Sequence, residues 1–153
     1  MSIEALRGAV DAIRAGGRVT EDDVRRLRRD LLPDGVTSRL QADCLLELEA
    51  AGLPHGAAWT MFFVETLADF LLFCERPNGA ISASSAEWLL GRAYSEGRSP
   101  TRGMRALCIE LVRVASEADP RIVALGLGHA AWARPRHSAA HTLGWLDRSG
   151  VGV

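Results

Sequence analysis

Apolar residues recur three and four apart along almost the whole chain, in blocks opened by a hydroxyl or acidic residue and closed by glycine or proline. Such blocks carry one apolar stripe each, and no run of alternating β-branched residues interrupts them, so the expected fold is all-α, a compact bundle of seven or eight helices. The spacing predicts a first helix over Ile3 to Ala15, ended by Gly16-Gly17. Thr20 caps a second, with Asp23 at its third position and Val24, Leu27 and Leu31 on one face, stopped at Pro33-Asp34-Gly35. A third follows Thr37 or Ser38 to about Ala51. Gly52-Leu53-Pro54-His55-Gly56 then separates it from an apolar central helix, Ala57 to Phe73, which Arg76-Pro77-Asn78-Gly79 ends.

The second half carries the same punctuation. Ser82 precedes a helix with Ala86, Leu89, Leu90 and Ala93, and Ser99-Pro100 sets proline at the first position of the next. Met104, Leu107, Cys108, Leu111 and Val114 mark one buried stripe there. Asp119-Pro120 opens a helix toward Trp132, and a last short helix covers Ser138 to Leu146. At 153 residues, 48% of them hydrophobic, the chain can bury roughly 70% of its unfolded surface, enough for one domain over residues 1–153 without disulfides or a metal.

The halves match at a constant offset of 62. Gly17-Arg18-Val19-Thr20 corresponds to Gly79-Ala80-Ile81-Ser82, Asp34-Gly35 to Glu96-Gly97, and Thr37 to Ser99. We read this as an internal repeat, 17–75 and 79–133, in which each helical unit buries its apolar faces against its copy.

Three segments have the form of a glycine turn, a β-branched residue and a hydroxyl cap: Gly17-Arg18-Val19-Thr20, Asp34-Gly35-Val36-Thr37 and Asn78-Gly79-Ala80-Ile81-Ser82. This resembles the acid-Gly-x-apolar-Ser/Thr turn of the TerB-like family, over roughly Gly17 to Leu125. The resemblance implies a small all-helical protein of two paired halves, linked to tellurite resistance and stress responses. The family pattern places a carboxylate shortly after the hydroxyl cap, where this chain has Asp23 in one copy, Ser85 in another and Leu40 or Gln41 in the third. That departure leaves the family's acidic metal site without its full set of residues here.

Glu65 and Asp69 are the only charges on the central helix and stand four apart, hence on one face. Such a pair can grip a divalent cation or an arginine, but two carboxylates alone give calcium or magnesium too few oxygens. A metal reading would recruit Asp34 or Asp43. His137 and His141 stand at i and i+4, the spacing that offers two nitrogens to zinc, but Ser138 occupies the place of a zincin glutamate and the spacing indicates no third ligand. His55 reads as a turn residue and His129 as a core histidine.

Between Gln41 and Glu75 lie Asp43, Glu47, Glu49, Glu65, Asp69 and Glu75 with no basic residue, whereas Arg121 to Val153 holds four arginines against Asp147. An acidic middle and a basic tail can complement each other within one fold or between protomers. Arg25, Arg26, Arg28 and Arg29 fall on the solvated face of the second helix, their field weakened by Glu21, Asp22, Asp23 and Asp30. A nucleic-acid surface is not expected. Trp59, Trp88, Trp132 and Trp145 read as core anchors, with Trp145 a candidate for an interface.

Every basic residue is arginine, which excludes lysine chemistry, and no nucleophile elbow, P-loop, dinucleotide fingerprint or Cys-x-x-Cys pair occurs. Cys44, Cys74 and Cys108 lie in apolar runs and read as reduced, buried thiols. The central apolar stretch is short for a bilayer span and carries two acids, so it reads as a core helix. The sequence therefore points to a non-catalytic cytoplasmic adaptor of TerB-like type, with no cofactor, which contacts another protein or itself through Asp34, Glu65, Asp69 and Trp145. The rivals are a divalent-metal sensor with an acidic face and a small helical enzyme without a recognisable motif.

Overall fold

In a computed structural model of the chain, residues 2–128 are described. His129, Trp132, His137, His141, Trp145 and the expected last helix lie outside the described residues, as does the end of the second repeat.

Seven α-helices follow one another among the described residues. They are α1 (Ile3–Gly16), α2 (Glu21–Arg26), α3 (Arg39–Ala50), α4 (Ala57–Asp69), α5 (Ala83–Ala93), α6 (Arg102–Val114) and α7 (Pro120–Gly126). Two of them end in a wider π turn: α2 continues over Leu27–Leu31 and α4 over Phe70–Cys74. Leu32 N–H donates to the Leu27 carbonyl and Glu75 N–H to that of Phe70, five residues back. The architecture is the all-α bundle expected from the periodicity.

The helix starts follow from the caps. The hydroxyls of Ser2, Thr20, Ser38, Ser82 and Thr101 each accept from the backbone N–H three residues on, and Asp119 accepts from Arg121 N–H. At Thr20 the box is reciprocal, because Asp23 Oδ2 accepts from Thr20 N–H at 2.8 Å. Of the two candidates for α3, Ser38 is the cap. Pro100 does not open α6: it stands outside the helix, and the cap is Thr101, two residues beyond the expected Ser99. α7 stops at Gly126, short of Trp132, with Gly128 at a φ of +78° where no helix can continue.

One apolar core joins all seven helices, with Leu6, Leu45, Leu48, Trp59, Phe63, Leu67, Leu71, Leu89, Leu107, Leu111 and Ile122 nearly or fully removed from solvent. α1 packs on α3 as α4 packs on α6, and α2 meets α4 as α5 meets α7. Two departures from expectation concern α6 and Cys74. Val114 is 45% exposed; it is the last residue of α6, where the chain turns extended at Ala115. Cys74 is exposed, at the end of the π turn, whereas Cys44 and Cys108 are buried.

Short strands do occur. Ala80–Ile81 (β1) pairs in parallel with Glu117–Ala118 (β2), and Val19 makes a single parallel bridge to His55. Each joins the residues just before one helix to those just before the helix two places on. Loop backbone buried there needs partners that no helix supplies, which periodicity could not reveal. The positive-φ glycines Gly17 and Gly79, and Gly35 and Gly97, stand at the 62-residue offset. The caps Ser38 and Thr101 stand at 63, as do His55 and Ala118 in the two pairings. The register thus slips by one residue between Gly97 and Thr101.

Candidate functional site

α4 turns Trp59, Phe62, Phe63, Leu67 and Ala68 inward and leaves Met61, Glu65 and Asp69, four apart, on its outer edge. This edge is a ridge between two grooves. The first, of about 530 Å³, runs between α4 and the end of α2 with its loop; Arg28, Asp34, Phe62, Glu65, Asp69, Phe73 and Cys74 are among its walls. Pro33 and Gly35 shape that loop, Gly35 at a φ of +74° that favours glycine. Asp34, Glu65 and Asp69, which the sequence singles out separately, therefore share one groove.

Glu65 turns toward arginine. Arg28 Nη2 donates to Glu65 Oε2 at 3.4 Å, and its guanidinium lies 5.3 Å from the centre of the Phe62 ring. Both side chains of the ion pair are more than half exposed, so the pair is worth ~0–1 kcal/mol and Glu65 can exchange it for another cation at little cost. Asp34 and Asp69 are exposed and make no ion pair among the described residues. Phe73, 59% exposed, adds an aromatic edge.

Asp43 does not join this set. It is tied to α5 by Arg92, whose guanidinium donates to Oδ2 at 3.0 Å while Nε stands 2.8 Å from Oδ1, off the line of a hydrogen bond. No group of three or more His, Cys, Asp or Glu side chains converges as a metal site among the described residues. The acids of the middle segment that form ion pairs do so with Arg28, Arg92 and, for Glu75, Arg39, which also stacks on Trp88. Among the described residues their partners come from α2 with its π turn, α5 and α3. Arg121, the one tail arginine described, holds the Asp119 carboxyl below its ordinary pKa through a side-chain hydrogen bond.

The second groove, of about 480 Å³, lies on the other side of the ridge between α4 and α6. Met61, Val64, Ala68, Leu72, Phe73 and Val114 make it apolar, and Glu65, Asp69 and Glu110 stand along it. The Arg113 guanidinium donates to Glu110 at 2.6 Å and holds its carboxyl low.

A buried polar unit escapes sequence reasoning. Glu49, seen in the sequence only as part of an acidic run, is 7% exposed and accepts from Trp59 Nε1–H at 2.6 Å. It rests on the first turn of α6, where amide dipoles favour an anion. A Cβ on Gly103 would stand 2.3 Å from its Oε1. The one available signal was a glycine inside an otherwise regular helical block. Trp59 is thus a core anchor as expected, with a polar tie in addition. Burial pushes the Cys44 thiol up and that of Cys108 to about 12, so neither is a nucleophile near neutral pH.

By length and composition alone, Ala57–Cys74 is a helix able to cross a membrane, but 44% of it is buried within this fold. No family model, curated protein or solved structure matches the chain.

Proposed function

We propose that the protein is a non-catalytic adaptor of TerB-like type that engages another protein through the groove between α2 and α4. The observation that carries this reading is the shared placement of Asp34, Glu65 and Asp69 beside the exposed ring of Phe73, with Glu65 already satisfied by an arginine. An acidic wall with an aromatic edge suits a partner segment bearing arginine or lysine next to an apolar residue. A cation sensor needs six or more oxygen ligands drawn together, whereas Glu65 turns to Arg28 and Asp43 to Arg92. The proposal includes a cytoplasmic setting and an origin by duplication of one helical unit. Duplication is supported by the equivalent glycines, caps and parallel pairings of the two halves.

Affinity capture from a native lysate containing a chelator tests the reading, with the wild type and Asp34→Arg/Asp69→Arg compared side by side. A protein held by the wild type and lost with the variant is expected. Identical captured sets, or capture that requires added calcium, would overturn it.

A further inference from the structure

The outer row of α4 and its π turn is Met61, Glu65, Asp69 and Phe73, four residues apart, apolar at its ends and acidic at its centre. Met61 and Phe73 are 68% and 59% exposed, and both acids between them face solvent. Large apolar side chains exposed beside a groove mark a contact. Glu65, Asp69 and Phe73 line the α2–α4 and the α4–α6 groove alike, so an element seated on this row covers both grooves at once. Its charge follows from the walls. Among the described residues Arg28, already turned to Glu65, is the one basic residue lining either groove, against Asp34, Glu65, Asp69 and Glu110. Glu110 is held by Arg113, whereas Asp34 and Asp69 have no cationic partner among the described residues. A second copy laid row on row would set Glu65 and Asp69 against the same acids, an arrangement that like charge disfavours.

Width selects the element. An extended strand occupies only ~4.8 Å beside its neighbour, whereas a helix with its side chains is ~10–12 Å across, enough to rest on the row and send side chains into the grooves on both sides. We propose that the partner element is a basic amphipathic helix lying along the α4 row. Its apolar residues meet Met61 and Phe73, its arginines or lysines face Glu65 and Asp69, and one apolar flank enters the α4–α6 groove over Val64, Ala68 and Leu72. Met61 to Phe73 spans ~18 Å at ~1.5 Å per residue, so the matching residues of the partner stand at i, i+4, i+7 and i+11, one face of a helix over nearly that length. This helix is the partner that the adaptor reading requires, and the proposal rests on that reading. An occupant confined to the α2–α4 groove would leave Met61 and Val114 untouched, because neither lines that groove.

The probe is an eighteen-residue peptide of alanine and glutamine with leucine, arginine, arginine and leucine at i, i+4, i+7 and i+11 and further leucines at i+3 and i+10. Its isomer carries the two arginines at i+2 and i+9, on the opposite face. Titrated into the isotope-labelled full chain, the first peptide should give saturable amide shifts along α4 and the end of α6 and bind at least tenfold more tightly than the isomer. Met61→Arg and Val114→Arg, both at exposed positions, should each weaken it at least tenfold. Equal binding of the isomer would reduce recognition to net charge and overturn the proposal, as would the absence of saturable shifts. Binding that Asp34→Arg/Asp69→Arg abolishes while Met61→Arg and Val114→Arg leave it unchanged would also overturn it, and would keep the adaptor reading with its α2–α4 groove. That reading falls separately, on its captured set. A dimer in sedimentation that Met61→Arg dissolves would assign the row to a second copy and overturn the proposal.

Discussion

Replacing Gly103 by alanine puts a methyl group where Glu49 now lies, with ideal Cβ distances of 2.3 Å to Oε1 and 2.6 Å to Cδ. A flexible carboxylate on the surface would swing aside. This one is buried and held by Trp59 Nε1–H at 2.6 Å, and the cavity beside it, about 30 Å³, has room for no more than one water. Yielding therefore means giving up the Trp59 bond, a hydrogen bond to a charged group worth ~1.5–3 kcal/mol. Remaining in place means overpacking at ~1–3 kcal/mol. Alanine returns at most ~1 kcal/mol of helix propensity. The balance is a loss of ~1 kcal/mol, or a Tm lower by ~3 °C for a domain of this size, read by urea and thermal unfolding followed by circular dichroism. In a Glu49→Ala background the same substitution should cost nothing further. An unchanged or raised stability in Gly103→Ala alone would show that the carboxylate moves freely and refute the reasoning.

Five further outcomes follow from the same structure. Phe63→Ala or Leu67→Ala, both fully buried, should each cost ~2–5 kcal/mol of unfolding free energy in denaturant titrations. Arg28→Ala should change stability by less than ~1 kcal/mol and less still at high salt, as measured by thermal melts at two ionic strengths. A thiol reagent at neutral pH should label Cys74 in the native chain and spare Cys108, whose pKa is pushed to about 12. Since that folded value lies above the unfolded one, folding is favoured while the thiol is protonated in both states, and stability should fall as pH climbs from ~9 toward 12. Calorimetric titration with calcium, magnesium or zinc at moderate salt should give no saturable heat, and a one-to-one isotherm abolished by Glu65→Gln would promote the sensor reading.

Helix identity was legible because it depends on local features: periodicity sets the buried faces of α1 to α6, and the hydroxyls of Thr20, Ser38 and Ser82 mark where three of them begin. The register was less so. Pro100 carries the right chemistry for a first helical position, but Thr101 caps as well and lies next in line, and spacing alone does not rank the two. Exposure at Val114 and Cys74 depends on where an element ends relative to its neighbours, which the stripe pattern does not contain. Asp34, Glu65 and Asp69 were visible as acids near a turn and on a helix face, but their meeting in one groove is a consequence of how α2 crosses α4. The Glu49, Trp59 and Gly103 unit spans α3, α4 and α6, and its one local sign, a glycine within a helical block, does not name its partners.

The most direct test of the adaptor reading is the affinity of the captured partner for the wild type and for Asp69→Arg, measured by titration calorimetry. Asp69 is exposed, so the variant should melt with the wild type. The account predicts a Kd at least tenfold weaker, a change of ~1.4 kcal/mol, as expected when a repulsive charge replaces an attractive one in the groove. Equal affinity for the two proteins would contradict it.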